Sequence, residues 1–196
     1  MAEYTDDIRA ILSFIAEAGL LKRTPRAGWS VVGVEPCESV ADHSFRCAVI
    51  GYCLAKMEKA DAYRVLLMTL FGDIQEARTG DLHKMAQRYI AAEAPEDAAL
   101  SEQIDSLPKA MKADFHSFRR EYLAQKTRES IIARDADILE CLIQAQEYLH
   151  FGYQAAAAFT RKAPRHLKTA SARRLWQQAR SADFNEWWLA LTRFTR

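Results

Sequence analysis

Apolar and polar positions follow the three-and-four spacing of amphipathic helices along most of the chain, and strand-like alternation is rare. Ile8, Ile11, Leu12 and Ile15 form the first such pattern, with Thr5 and Asp6 placed to cap it and Gly19 to end it. Arg23 to Glu38 carries Pro25, Gly28, Gly33 and Pro36 and reads as a loop or short extended segment. A second helix is predicted from about Ser39 to Lys59. A third runs from about Ala60 to Arg78 and stops near Thr79-Gly80, and a fourth covers His83 to Ala92. Pro95 and Pro108 frame short helices in a polar stretch that reads as an insertion over one face. Thr127 opens a long helix that reaches about His150 and is stopped by Gly152. Gln154 to Arg196 predicts two or three more helices, ending in Trp187, Trp188 and Phe194, which read as packing residues. With no internal repeat or long linker, the expectation is one all-α domain over residues 1–196, its C-terminal helices packed on or beside the core.

Composition narrows the class. Hydrophobic residues make up 49% of the 196, enough for a substantial core, and Gly (7) and Pro (5) are scarce. Lys plus Arg number 27 against 26 Asp plus Glu, so the net charge of +1 gives no electrostatic case for a nucleic-acid polymer or an anionic membrane. Local basic clusters could still bind a small phosphate. The longest apolar run, Val65 to Phe71, is far short of the roughly 20 residues of a membrane span. Met1 to Asp7 is acidic and has no apolar leader core. Cys37, Cys47, Cys53 and Cys141 form no CxxC pair, and Cys47 and Cys53 read as buried free thiols, as expected of a cytoplasmic protein.

Candidate chemistry begins at His43, which shares a helical stripe with Val40, Cys47, Ile50 and Leu54. A lone histidine there is usually a satisfied core residue. Asp73 is harder to dismiss, because it continues a stripe of Leu66 and Leu70, and a carboxylate at the end of such a stripe needs a partner or a metal. Glu76 lies three residues on, and Asp81 follows a Gly that permits a tight turn. Taken singly, those two acids read as a solvated helix end. On the long helix, Asp135 points nearer the apolar arc of Ile132, Ala136 and Leu139 than Asp137 does, so periodicity alone favours Asp135 as the buried acid. One histidine and several carboxylates on separate helices can hold a divalent metal, and such an ion makes a nucleophile of its bound water at neutral pH.

Four segments carry a resemblance: LLKRTPRAGW (Leu20 to Trp29), ESVADHSFR (Glu38 to Arg46), LFGDIQEARTGDL (Leu70 to Leu82) and DADILECLIQAQEY (Asp135 to Tyr148). In order and spacing they resemble the HD-domain 5'-deoxynucleotidase family. The resemblance implies an all-helical HD-domain bundle that removes phosphate from deoxynucleoside 5'-monophosphates, uses a divalent metal (Mn, Co, Fe, Ni, Zn or Mg) and forms a homodimer. Residue by residue it implies His43, Asp73 and Asp137 as metal ligands, overruling periodicity at the last. It implies Glu76 and Asp81 as the acids that position or activate the attacking water, Trp29 near the deoxyribose, and Arg26 as a phosphate contact.

The departure is at Gly72, where the family has the histidine of its His-Asp doublet. Glycine offers no ligand atom, and in a helix interior it costs about 1 kcal/mol against Ala. A substitution made on purpose, a natural loss of activity, or replacement of the ligand by a water or by His83 would each account for it. Two other readings stand beside the phosphohydrolase: a degenerate nucleotide-binding or scaffold protein, and an enzyme acting on a dNTP or an alarmone.

Overall fold

The computed structural model describes residues 2–191. Its centre is α8 (Arg128–His150), started by a Thr127–Ser130 capping box. Ile132, Ala133, Ala136, Leu139 and Leu142 of this helix are fully buried. α3 (Val40–Glu58) lies along it, opened by a Ser39–Asp42 capping box and closed at Lys59, whose φ is 56°. α4 (Ala62–Leu70), capped by Asp61, packs on both. Cys47, Leu54, Val65 and Met68 from α3 and α4 meet the α8 residues in the main core. Among the described residues there is no strand, only an isolated bridge between Pro25 and Ser39. Around it Arg26 donates to the Glu38 carbonyl (3.0 Å) and Val40 to that of Thr24 (2.8 Å), which brings Arg26 and α2 (Ala27–Ser30) to the start of α3.

Several boundaries differ from the sequence reading. α1 (Ala2–Ala18) starts before Thr5 and Asp6, so these do not cap it. Its packed line is Ile11, Phe14 and Ala18, against Leu21, Val40 and Ile74, while Ile8, Leu12 and Ile15 are exposed. No helix spans His83 to Ala92; a single 3-10 turn occupies Ala86–Arg88. α6 (Glu93–Ile104) and α7 (Lys109–Ala124) do cover one face, but Leu100, Ile104 and Leu107 make the cover part of a second core. Cys53 is exposed, whereas Cys47 is buried. α9 (Ala157–Lys162) and α10 (Ala170–Ala179) lie against α8, and Trp176 and Ala179 enter the main core. On α11 (Glu186–Leu191), Trp187 and Trp188 are exposed rather than packed, and Phe194 lies outside the described residues.

The largest difference is in the third predicted helix, which breaks at Phe71. Beyond the Phe71 N–H bond to the Leu67 carbonyl, bonding tightens to the three-residue pattern: Ile74 to Phe71, Glu76 to Asp73, Ala77 to Ile74. Only then does α5 (Glu76–Thr79) form. Gly72 is therefore not in a helix interior, and the helix penalty does not apply to it. A Cβ there would lie 3.0 Å from the Met68 carbonyl oxygen, a close approach that glycine avoids.

Asp135 is the buried acid that periodicity picks out, 1% exposed. It accepts the backbone N–H groups of Lys168 (2.9 and 3.1 Å) and Thr169, tying the start of α10 to α8. Asp135→Ala removes the acceptor of these part-buried donors and should lower the unfolding free energy by about 1–3 kcal/mol. Denaturant melts with and without metal will check this, and metal affinity should stay unchanged.

Candidate metal centre

α3 carries His43 into the core at 2% exposure, one turn from the helix start. Its Nδ1 makes a short contact with a carboxylate oxygen of Glu140 on α8. Glu140 also accepts from Arg46 Nε (2.9 Å), and Arg46 extends to Glu147 and Gln144. The imidazole is thus fixed from behind, and Nε2 is turned the other way. On that side Asp137 Oδ1 lies at 3.3 Å and Asp73 Oδ2 at 3.6 Å. Asp137 reaches this side because it lies two residues, or about 200°, round α8 from Asp135. Its side chain keeps 27% exposure, so the less buried of the two acids is the one that faces His43. Asp73 arrives from the tightened turn after α4.

Arg26 and two further acids border these three. Arg26 Nη1 lies 3.8 Å from Asp73 Oδ2 and 3.5 Å from Asp81 Oδ1. Asp81 follows Gly80, whose φ of +70° suits glycine, and its Oδ2 accepts the Ala27 N–H at 2.7 Å. Glu76 is buried, and its Oε2 has no hydrogen-bond partner among the described residues. Burial, then the charges of Asp73 and Asp81, push the Glu76 carboxyl up to about 10. Burial and Arg26 oppose a charged His43, but hydrogen bonds to Asp137 and Glu140 outweigh them and raise it to about 10. Burial works against the Asp137 carboxylate too, yet its bond to His43 holds it well below the usual range.

Trp29 stands apart from this group. At 2% exposure its ring is enclosed by Tyr148 (5.0 Å between centroids) and Phe159 (4.3 Å), and its N–H donates to Glu38 at 2.8 Å. Glu38, Glu140 and Arg46 were missed in the sequence. A signal was present for two of them: Arg46 falls three residues after His43, and Glu140 three after Asp137, on the facing sides of two paired helices.

Residues 18–178 match the HD domain family. A 5'-deoxynucleotidase HDDC2 of Xenopus laevis is 34% identical over 143 residues, 71% of this chain and 70% of that protein. The chain belongs to the 5'-deoxynucleotidase family of HD-domain proteins. The human 5'-deoxynucleotidase HDDC2 is 30% identical over 71% of the chain and 69% of its own length. Among solved structures, a conserved hypothetical protein of Pyrococcus furiosus aligns with a TM-score of 0.76 at 30% identity, covering 87% of this chain and 99% of its own. A predicted metal-dependent phosphohydrolase of Magnetospirillum magnetotacticum aligns with a TM-score of 0.71 at 25% identity over 90% of each chain.

HD-domain phosphohydrolases are metal-dependent, and the donor chemistry here suits a divalent ion. Two donor sets share His43. Glu38, His43 and Glu140 offer atoms within 4.8 Å of one another. In that set, however, Glu140 already engages His43 and Arg46, and Glu38 already accepts from Trp29. The set of His43 Nε2, Asp73 and Asp137 fits better, since the same acids that hold a proton on His43 would hold a cation in its place. At the fourth position, Gly72 borders a hollow of about 10 Å³ walled mainly by Met68, Phe71, Phe115, Phe118 and Tyr122. His83 spends its Nδ1 on the Ala86 N–H (3.1 Å).

A carboxyl raised to about 10 in the folded protein binds a proton that the unfolded chain releases near 4.5. Folding therefore loses ground as pH rises between those values. In the metal-free HD-domain protein, Glu76→Gln should remove this loss. The variant should be more stable than the parent at pH 8, by on the order of 1 kcal/mol or more, and equal to it near pH 4. Urea melts at the two pH values will measure the difference.

Proposed function

We propose that the chain removes phosphate from deoxynucleoside 5'-monophosphates, with a divalent ion held by His43, Asp73 and Asp137. The observation that carries this reading is the convergence of those three side chains, from three separate elements, beside the buried and unpartnered Glu76 carboxyl. A bound Mn, Co, Fe, Ni, Zn or Mg ion would polarise the phosphate and acidify a water. With the charge of a cation beside it the Glu76 carboxyl would ionise. The carboxylate then orients the water, takes its proton as the oxygen bonds to phosphorus, and passes that proton to O5' as the P–O5' bond breaks. Asp81 anchors the Ala27 N–H and faces Arg26, so it sets where the Arg26 guanidinium stands to meet the phosphate. Trp29 is assigned to the sugar side by family resemblance. Its support here is its place on α2, three residues from Arg26.

A second copy of the chain is the macromolecular partner in this reading. Two exposed apolar rows support it: Ile8, Leu12 and Ile15 on α1, and Phe45, Val49 and Tyr52 on α3. The free cysteines fit a cytoplasmic protein, and no helix among the described residues is long and apolar enough to cross a membrane. Gly72 favours the other reading, a nucleotide-binding protein whose site has decayed.

Phosphate release from dAMP and AMP, with Mn²⁺ or Co²⁺ added, separates the two. Selective release from dAMP is expected; a folded protein with no release would overturn the monophosphate reading and favour the degenerate site. Glu76→Gln should lower the rate by about 10²-fold or more while the protein stays folded. Gly72→His should raise metal affinity, measured by competition with a chelator, because it restores a ligand. Unchanged affinity would show that position 72 is not part of the donor set.

A further inference from the structure

We propose that Tyr122 and Arg134 are positioning residues for the metal site, holding Asp137 so that one of its oxygens is kept turned toward His43. The inference rests on the reading of His43, Asp73 and Asp137 as the metal-binding set. Neither residue belongs to the segments that carry the family resemblance; Arg134 immediately precedes the last of them.

The two oxygens of Asp137 have different surroundings. Oδ1 lies 3.3 Å from His43 Nε2. Oδ2 accepts from the Tyr122 hydroxyl at 3.3 Å and from Arg134 Nη1 at 3.1 Å. Arg134 Nη1 also donates to the Tyr122 oxygen at 3.0 Å. Proton directions are consistent throughout: the phenol accepts from the guanidinium and donates its one hydrogen to the carboxylate. The Arg134 guanidinium carbon sits 5.5 Å from the Tyr122 ring centroid, so the cation also rests on the ring it bonds to. Carboxylate torsions are broad and roughly two-fold. Two donors on one oxygen remove that freedom and leave the other oxygen facing the imidazole.

Position 72 makes the arrangement matter more in this chain. Tyr122 and Gly72 line the same small hollow. With only three donors to define the site, the direction of each carries more of the geometry. Outer-shell partners of metal ligands typically account for about 10- to 100-fold in metal affinity.

The test is a Co²⁺ titration of the metal-free full-length protein, followed by the visible cobalt spectrum and by chelator competition. Wild type is compared with Tyr122→Phe and Arg134→Gln, and metal-free thermal midpoints are recorded alongside. The expected result is Co²⁺ bound about 10- to 100-fold more weakly by each variant, with an altered cobalt spectrum and a thermal midpoint close to wild type. Arg134, half exposed at the surface, keeps the test open should Tyr122→Phe fold poorly. Variants that bind Co²⁺ as wild type does overturn the inference while the three-ligand reading stands. A lowered thermal midpoint with unchanged Co²⁺ affinity also overturns it, since the pair is then structural only. A wild-type protein that binds no Co²⁺ overturns both.

Discussion

The buried contact between the His43 imidazole and the Glu140 carboxylate is the constraint on which the centre depends. It joins α3 to α8 at the level where both helices are fully enclosed, and it uses the ring nitrogen that points into the protein. Only one nitrogen then remains, and its direction is set by the packing of two long helices. Asp137 comes from the same α8, so its distance from His43 is fixed by the same helix pair. Both partners are enclosed, His43 at 2% and Glu140 at 0% exposure, so the contact acts in a low-dielectric interior.

Charge balance explains why these groups can share so small a volume. Asp73, Glu76, Asp81, Asp137 and Glu140 crowd together, and as bare carboxylates they would repel one another strongly. Arg26, Arg46, Arg134 and a protonated His43 offset four of them. Glu76 has no such partner and keeps its proton instead. Of these five acids, Glu76 is the one that a cation held by its neighbours would switch from its protonated to its ionised form.

The main helices were legible in the sequence because their ends are marked by local chemistry. Ser39 with Asp42, and Thr127 with Ser130, close capping boxes where the pattern put helix starts. The break at Phe71 was not legible, since Leu66 and Leu70 continue a helical spacing into Asp73 while the hydrogen bonds after Phe71 tighten to the three-residue pattern. On α1 the spacing identified a helix but not its buried side, because both faces are apolar and only contact with Val40 and Ile74 selects Ile11 and Phe14. Within the site, Asp135 was rightly read as the more buried acid. Burial answers to α10, however, and only the family resemblance pointed to Asp137. Tyr122 gave no signal at all, since its partner lies fifteen residues away on another helix.

The tightened turn between Phe71 and Glu76 has a consequence for how such a protein can change over time. Val65 and Met68 before it and the α8 row behind it build the main core, while Ile74 and Ala77 of the segment enter the second core. Asp73 and Glu76 sit in a turn of short-range bonds, while Asp81 is tied to the Ala27 N–H on α2. Replacements in that segment can alter chemistry while the scaffold stays intact, which is how a chain with Gly at position 72 keeps the whole bundle. The same short stretch of chain therefore carries both a fixed, frame-building register, at the buried Ile74 and Ala77, and an editable reactive one beside it.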